Sequence, residues 1–243
     1  MAKTLVLTGA SRGIGHATVK RFSAEGWRVV TCSRHPFSPD CPWEGGPENH
    51  VQLDLSDPDD LARGLAEMRK RLDGAGLAAL VNNAGISPKA ESGERLGCLD
   101  TDLETWHRVF HVNFYAPLLL ARGLIGELKA ARGSIVNVAS IAGARVHPYA
   151  GAAYATSKAA LSALTREMAA EFGPLGVRVN AIAPGEIETP ILSSGTATLI
   201  PRIPLGRLGH PGEVANTIYF LCTDGASYIN GTEIFIDGGQ HVG

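Results

Sequence analysis

No stretch of this 243-residue chain reaches the roughly 18 consecutive apolar residues that a membrane-spanning helix needs. The apolar run in the opening MAKTLVLTGA is too short for a signal-peptide core and leads straight into a glycine turn. A cytoplasmic protein with no membrane partner is therefore the expectation. A charge excess is also missing. Twenty-two Lys and Arg face 24 Asp and Glu, a net charge of −2, so there is no basic surface for a nucleic acid or an anionic membrane. Cysteine is scarce: Cys32, Cys41, Cys98 and Cys222 form no CxxC pair, and no His stands at zinc-finger spacing. Reduced thiols are expected, with Cys32 and Cys222 packed as small hydrophobes. His107 and His111 lie four apart in a helical pattern, yet no acidic or Cys partner is evident, so a solvated or capping role is expected and no metal site. No solenoid-type repeat is visible.

What is present is an alternation. Seven short β-branched runs read as buried strands: TLVLT, RVVTC, HVQLD, LAALVN, SIVNVAS, VRVNAIA and EIFID. Several are apolar nearly throughout, as in a parallel sheet covered on both faces. Helical patterns lie between them. IGHATVKRFSAEG ends at Gly26 as a C-cap. SDPDDLARGLAEMRKRLDGAG opens with Ser56 as N-cap and Pro58 early, with acids first and bases last. TDLETWHRVFHVNFYAPLLLARGLIGELKAA is long, with a kink expected at Pro117. AAYATSKAALSALTREMAAEFG and HPGEVANTIYFLCTDG complete the set. The series predicts one doubly wound Rossmann domain over residues 1–243, with a seven-stranded parallel sheet and helices on both faces. One link breaks the alternation. SRHPFSPDCPWEGGPENH, residues 33–50, carries four prolines and two adjacent glycines and cannot hold a useful helix. A crossover loop is expected there rather than a domain linker.

TGASRGIG follows the first strand and opens the first helix. Gly9, Gly13 and Gly15 permit positive φ and close backbone approach, and the helix start offers free N–H groups to a pyrophosphate. The spacing is Gly-x3-Gly-x-Gly, not the common Gly-x-Gly-x-x-Gly. NAD sites usually place an acid after the second strand to accept from the ribose 2′-hydroxyl. Here Ser33 and Arg34 stand there, and no acid appears until Asp40. Arg34, with Arg12 from the glycine turn, suits a 2′-phosphate instead, which favours NADP(H) over NAD(H).

The glycine turn, NNAG at 82–85, YATSK at 154–158 and PGEIET at 184–189 occur in one order with wide spacing. That constellation resembles the short-chain dehydrogenase/reductase family across almost the whole chain. IPLGRLGHPGEVANTIYFLCTDGASYINGTEIFIDGG is similar to the branch with 3-oxoacyl-carrier-protein reductases and carbonyl reductases. Tyr154 and Lys158 are four apart and share a helix face. A nearby ammonium is expected to lower the phenol's pKa from about 10 and make it a usable acid or base. Ser140 ends a strand just upstream, where strand ends meet ligands in such sheets, and would hydrogen-bond the substrate oxygen. The resemblance implies that Lys158 also holds the nicotinamide ribose and that Asn113 supports a water for proton relay. It further implies cofactor contacts from Ser11, Ile14, Asp54 and Leu55 (adenine side), from Asn83, Ala84 and Gly85 (ribose), and from Pro184, Gly185, Ile187 and Thr189 (nicotinamide). It places a helix between the second and third strands, which this chain reduces to a loop. The loop is expected to be mobile without cofactor, with Trp43 packing on the adenine or the sheet. Tyr149 lacks a lysine four residues on and is expected in the substrate cleft rather than in catalysis.

Residues 188–206 are expected to form a substrate lid, with only Glu188 and Arg202 charged. ISPKAESGERLGCLD, after NNAG, borders the cleft or is a solvated loop. Docking of an acyl carrier protein is doubtful, because Ala131 and Leu175 stand where the resemblance implies basic residues, although Arg132 and Arg178 are near. The Ala- and Ser-rich helix at 153–172, the long helix near 102–128 and the terminal GTEIFIDGGQHVG resemble the interfaces of the family's homotetramers. The resulting expectation is an NADP(H)-dependent oxidoreductase interconverting a small ketone and a secondary alcohol, including a 3-oxoacyl thioester as candidate substrate. The alternatives are an NAD-dependent alcohol or diol dehydrogenase of the same family, and a cofactor-sensing Rossmann protein without turnover.

Overall fold

The computed structural model describes residues 2–37, 45–189, 192 and 195–242. Seven strands form one sheet in the order β3-β2-β1-β4-β5-β6-β7, every pair parallel. They are β1 (Thr4–Thr8), β2 (Arg28–Ser33), β3 (His50–Gln52), β4 (Ala79–Asn82), β5 (Ser134–Val138), β6 (Arg178–Pro184) and β7 (Glu233–Ile236). The order reverses between β1 and β4, which opens a crevice at the carboxyl ends of those strands. Side-chain alternation along β1 sends Val6 to one face and Leu5 and Leu7 to the other.

The first face packs under α2 (Pro58–Leu72), α3 (Leu103–Phe110), α4 (Ala116–Gly123), α5 (Ile125–Ala131) and α6 (Ala152–Phe172). Its core includes Leu80, Ile135, Met68, Leu120 and Phe172. The second face packs under α1 (Gly13–Ala24) and α7 (Pro211–Leu221). There Phe22 meets Trp27 and Tyr219 edge-on, with centroids 5.0 and 5.1 Å apart. Each such fully buried large side chain stabilises the fold by about 1.5–3 kcal/mol. Truncating one, as in Leu80→Ala, costs about 2–5 kcal/mol.

Two helix details differ from the sequence reading. Asp57, not Ser56, caps α2: its carboxylate accepts from the Asp59 and Asp60 N–H groups, and Ser56 instead hydrogen-bonds Asp54. The expected kink at Pro117 is displaced. Pro117 has no N–H for the carbonyl of Asn113 four residues back, and the chain widens into a π turn at His111–Tyr115. The sharp bend, 60°, falls at Leu124 after Gly123. Gly123 is pressed against Leu65, where a Cβ would stand 2.6 Å from Cδ2.

Between β2 and β3 the described residues hold one 3-10 turn, Pro47–Asn49, and no α-helix. Residues 38–44, among them Asp40, Cys41 and Trp43, lie outside the described residues, as does part of the expected lid (190, 191, 193 and 194). No single helix among the described residues is long and apolar enough to cross a membrane; the bent run Leu103–Gly123 plus Ile125–Ala131 meets the test by length and composition alone. Cys32 and Cys222 are buried as small hydrophobes, and burial pushes both thiols up to about 12.

Candidate active site

A cavity of about 760 Å³ runs along the carboxyl ends of β1 to β6. Its wall begins at the glycine turn, where the three glycines serve different ends. Gly9 and Gly13 take φ of 69° and 57°, which a side chain disfavours. A Cβ on Gly15 would lie 2.0 Å from the Gly9 carbonyl oxygen, so Gly15 supports the turn from behind and does not line the cavity. Asn83 holds the turn in place: its Nδ2 donates to the Thr8 and Gly9 carbonyls, and the Asn83 and Ala84 N–H groups both donate to Thr8 Oγ1.

Ser11, Arg12, Ile14, Ser33, Arg34, Asp54, Leu55, Asn83, Ala84, Gly85, Pro184, Gly185, Ile187 and Thr189 all line this one cavity, with Gly9 and Gly13. Arg12 and Arg34 have no side-chain hydrogen bond or ion pair among the described residues. Ser33 donates its hydroxyl to the His35 carbonyl at 2.9 Å. Asp54 spends Oδ1 on Ser56, and these bonds with the Arg34 charge hold its carboxyl below the usual value against the opposing cost of burial. Ile86, Ser87 and Pro88, the start of ISPKAESGERLGCLD, do border the cavity, while His35, Arg108 and Val112 line it without a sequence signal. A helical i, i+4 step links Arg108 to Val112 and on toward Asn113, which was the available clue.

At the other end stand Ser140, Tyr154 and Lys158. Lys158 is 3% exposed. Its Nζ donates to the Val138 carbonyl at 2.6 Å and lies 5.8 Å from the Tyr154 ring centre. Burial lowers the ammonium's pKa to about 8. The expectation that this ammonium lowers the Tyr154 pKa is not met. Desolvation is the larger effect and raises it; a hydrogen bond with Ser140 opposes, and the charge of Glu186 adds to the rise. Ser140 is itself fixed, its Oγ accepting from the Ala142 N–H at 3.2 Å.

Asn113 does not line the cavity. It is fully buried in the π turn, where its Oδ1 accepts from the Ile86 N–H at 2.9 Å and its Nδ2 donates to the Ile86 carbonyl and to Ser157 Oγ, both at 3.0 Å. Ser157, absent from the sequence reading, passes the connection on by donating to the Tyr154 carbonyl at 2.7 Å. Gly85 keeps this floor open, since a Cβ there would meet Lys158 Nζ at 3.3 Å and Asn113 Oδ1 at 3.4 Å.

Tyr149 stands outside the cavity lining. Its hydroxyl meets the Gly195 carbonyl and Thr198 Oγ1 at 3.2 and 3.0 Å, tying the 141–151 loop to the 3-10 helix Thr196–Arg202. Leu192 reaches the cavity from the same segment. Glu186, which lies inside PGEIET but was given no role there, pairs with His147, which no motif singled out, at 2.5 Å. Arg178 is committed to the Ile229 and Thr223 carbonyls, which removes it from an exposed basic surface. No group of three or more His, Cys, Asp or Glu stands at metal-holding distance among the described residues.

A parallel sheet with a glycine turn at its switch point and a Ser–Tyr–Lys set across the same cavity defines a nucleotide-cofactor-binding oxidoreductase. The family described as enoyl-(acyl carrier protein) reductase matches residues 9–241. The protein FixR of Bradyrhizobium diazoefficiens is 60% identical over 242 residues, covering 99% of this chain and 87% of that one. A short-chain dehydrogenase/reductase oxidoreductase from Brucella ovis, solved in complex with a partially ordered NAD, is 61% identical with a TM-score of 0.85, covering 97% of this chain and 100% of that one. A 3-oxoacyl-[acyl-carrier protein] reductase with bound NAD from Brucella melitensis is 32% identical with a TM-score of 0.87, covering 98% and 90%. The chain belongs to the short-chain dehydrogenase/reductase family, whose members act on alcohol and ketone groups.

Proposed function

We propose that the protein interconverts a ketone and a secondary alcohol with NADP(H), Tyr154 acting as the acid or base. The observation that carries this reading is the placement of Ser140, Tyr154 and Lys158 in the same cavity as the glycine turn. The cradle fits a dinucleotide: Gly9, Gly13 and Gly85 let the cavity wall close up without a Cβ in the way, and Arg12 and Arg34 line it with no side-chain hydrogen bond or ion pair among the described residues. When bound, the nicotinamide supplies or accepts the hydride. Ser140 orients the substrate oxygen. Tyr154 gives that oxygen a proton in reduction and takes it in oxidation. Lys158, its pKa brought down to about 8, can hold or release a proton near neutral pH. Asn113 and Ser157 act as positioning residues under the tyrosine and lysine.

NADP(H) is favoured because Arg34 replaces the acid that would repel a 2′-phosphate. A second reading, NAD(H), is favoured by the two Brucella structures, which hold NAD. The decisive assay follows reduced-cofactor absorbance with NADPH or NADH against a panel of ketones that includes a β-ketoacyl thioester. A higher kcat/KM with NADPH is expected; a higher value with NADH overturns the Arg34 reading. Binding of cofactor with no turnover of any carbonyl would favour a cofactor sensor. We further propose one domain, a lid over 188–206 and a homotetramer; β7 is an edge strand whose four residues all stay partly exposed. Light scattering of the purified protein checks the assembly, and a monomer would refute it.

A further inference from the structure

Arg108 lines the cavity beside Ile86, Ser87 and Pro88, and the proposed reaction gives it no task. Its backbone is committed: it lies inside α3, and its carbonyl accepts from the His111 N–H. The side chain is therefore what reaches the cavity. That guanidinium has no hydrogen bond or ion pair among the described residues. Even Glu104, four residues back on the same helix and well spaced for a pair, makes none with it. The neighbours show which end of the cavity it serves. A second, far smaller cavity is closed by Pro88 and Tyr154 together with Thr105 and Val109 of α3. Arg108 adjoins Val109 and lies one helical turn beyond Thr105, so it emerges beside the Pro88 and Tyr154 wall. Five residues on, Asn113 clamps Ile86 through two hydrogen bonds and holds this helix against the 86–88 segment. Arg12 and Arg34 stand elsewhere, past β1 and β2, and α1, which opens at the glycine turn, covers the other face of the sheet from α3. Charge sorts the ligand. Arg12, Arg34, Arg108 and Lys158 line the cavity, while the one lining carboxylate among the described residues is Asp54, past β3, which spends Oδ1 on Ser56. Lys158 gives its ammonium to the Val138 carbonyl. The catalytic end thus offers one uncommitted cation and no lining carboxylate to answer it.

We propose that Arg108 is the substrate's anion receptor, and that the substrates are oxo or hydroxy acids whose carboxylate pairs with its guanidinium while the oxygen to be protonated meets Ser140 and Tyr154. The planar fork of a guanidinium matches the two oxygens of a carboxylate, and such charge-assisted pairs are the strong ones. Ser87, whose hydroxyl makes no hydrogen bond among the described residues, lines the cavity next to Pro88 and can donate to the same group. The inference rests on the oxidoreductase reading for the reacting carbonyl, and it adds a specificity residue that acts on substrate rather than on cofactor.

The test measures binding separately from turnover. Wild type and Arg108→Gln, each saturated with whichever of NADP⁺ and NAD⁺ binds more tightly, are titrated by calorimetry with 3-oxobutanoate, 4-oxopentanoate and their methyl esters. A ketone cannot be reduced by the oxidised cofactor, so only binding is read. Wild type should bind at least one acid about tenfold or more tightly than its own ester, as hydrogen bonds to a charged group imply. In Arg108→Gln that margin should shrink to about twofold or less, with cofactor affinity unchanged. Equal affinities for acid and ester in wild type overturn the proposal, as does a margin that survives the substitution. A weaker cofactor with an intact margin would assign Arg108 to the cofactor and overturn it too. If thermal melts show that Arg108→Gln does not fold, Arg108→Lys must lower the margin, because an ammonium cannot make the forked pair; an unchanged margin again overturns it. Turnover of the four ketones with reduced cofactor is scored apart. An intact margin without turnover would sink the oxidoreductase reading alone, and turnover without a margin would sink this one.

Discussion

Past the ends of β1 and β2, Arg12 and Arg34 line the cavity with no side-chain hydrogen bond or ion pair among the described residues, whereas beyond β5 and β6 nearly every polar side chain is held by another. The contrast follows from burial. Exposed guanidinium groups are solvated and can wait for a ligand phosphate at little cost. Lys158, Asn113, Ser157 and Glu186 are shielded from water and must be paired when the cavity is empty. In the proposed function one end is a receptor whose charges the cofactor would complete, and the other is preorganised for the reaction.

The preorganised end should show the largest cost in stability. The Lys158 pKa of about 8 lies below its ordinary 10.5. Between those values the unfolded chain binds the proton and the folded one does not, so this group makes stability rise with pH across that window. Below pH 8 the folded protein carries a buried ammonium, at a cost on the order of 3 kcal/mol. Lys158→Met should therefore be more stable than wild type at pH 7, less the lost bond to Val138, and the gap should close as pH rises toward 10.5. Urea melts across that range check this, and a pH-independent gap would remove the distinction between the two ends.

The receptor end should respond through affinity instead. Arg34→Ala should weaken NADPH about 10- to 100-fold while leaving the melting temperature and NADH binding nearly unchanged. Fluorescence titration with both cofactors reads this directly; equal losses for both would mean that Arg34 does not read the 2′-phosphate. The smallest effect is expected at Ser157→Ala. It breaks the link from Asn113 to Tyr154 and should cost about 1 kcal/mol of stability, with kcat reduced more than KM is changed. A purely structural role would lower stability and leave kcat alone.

The same contrast explains what the sequence disclosed. The seven strands, the glycine turn and many of the wall residues depend on local patterns such as TGASRGIG and NNAG, and these were legible, whereas the order of the strands across the sheet came from the structure. The Asp57 cap was misplaced by one residue because Ser56 and Asp57 are both good caps, and the choice depends on Asp54 drawing Ser56 away. Pro117 marked a disturbed helix, but a π turn absorbs the missing donor and moves the bend to Leu124. The pairing of Glu186 with His147 was invisible because it spans 39 residues: Glu186 lies in PGEIET, but nothing in that motif points to His147. The direction of the Tyr154 shift was misjudged because spacing reports a neighbouring charge and says nothing of desolvation.

The central claim is that Tyr154 moves the proton at the substrate oxygen. It is tested most directly by kcat/KM for ketone reduction in wild type and Tyr154→Phe, with cofactor binding measured in parallel. The account predicts a loss of about 10²- to 10⁴-fold in kcat/KM with cofactor affinity essentially retained. Full activity in Tyr154→Phe would contradict it.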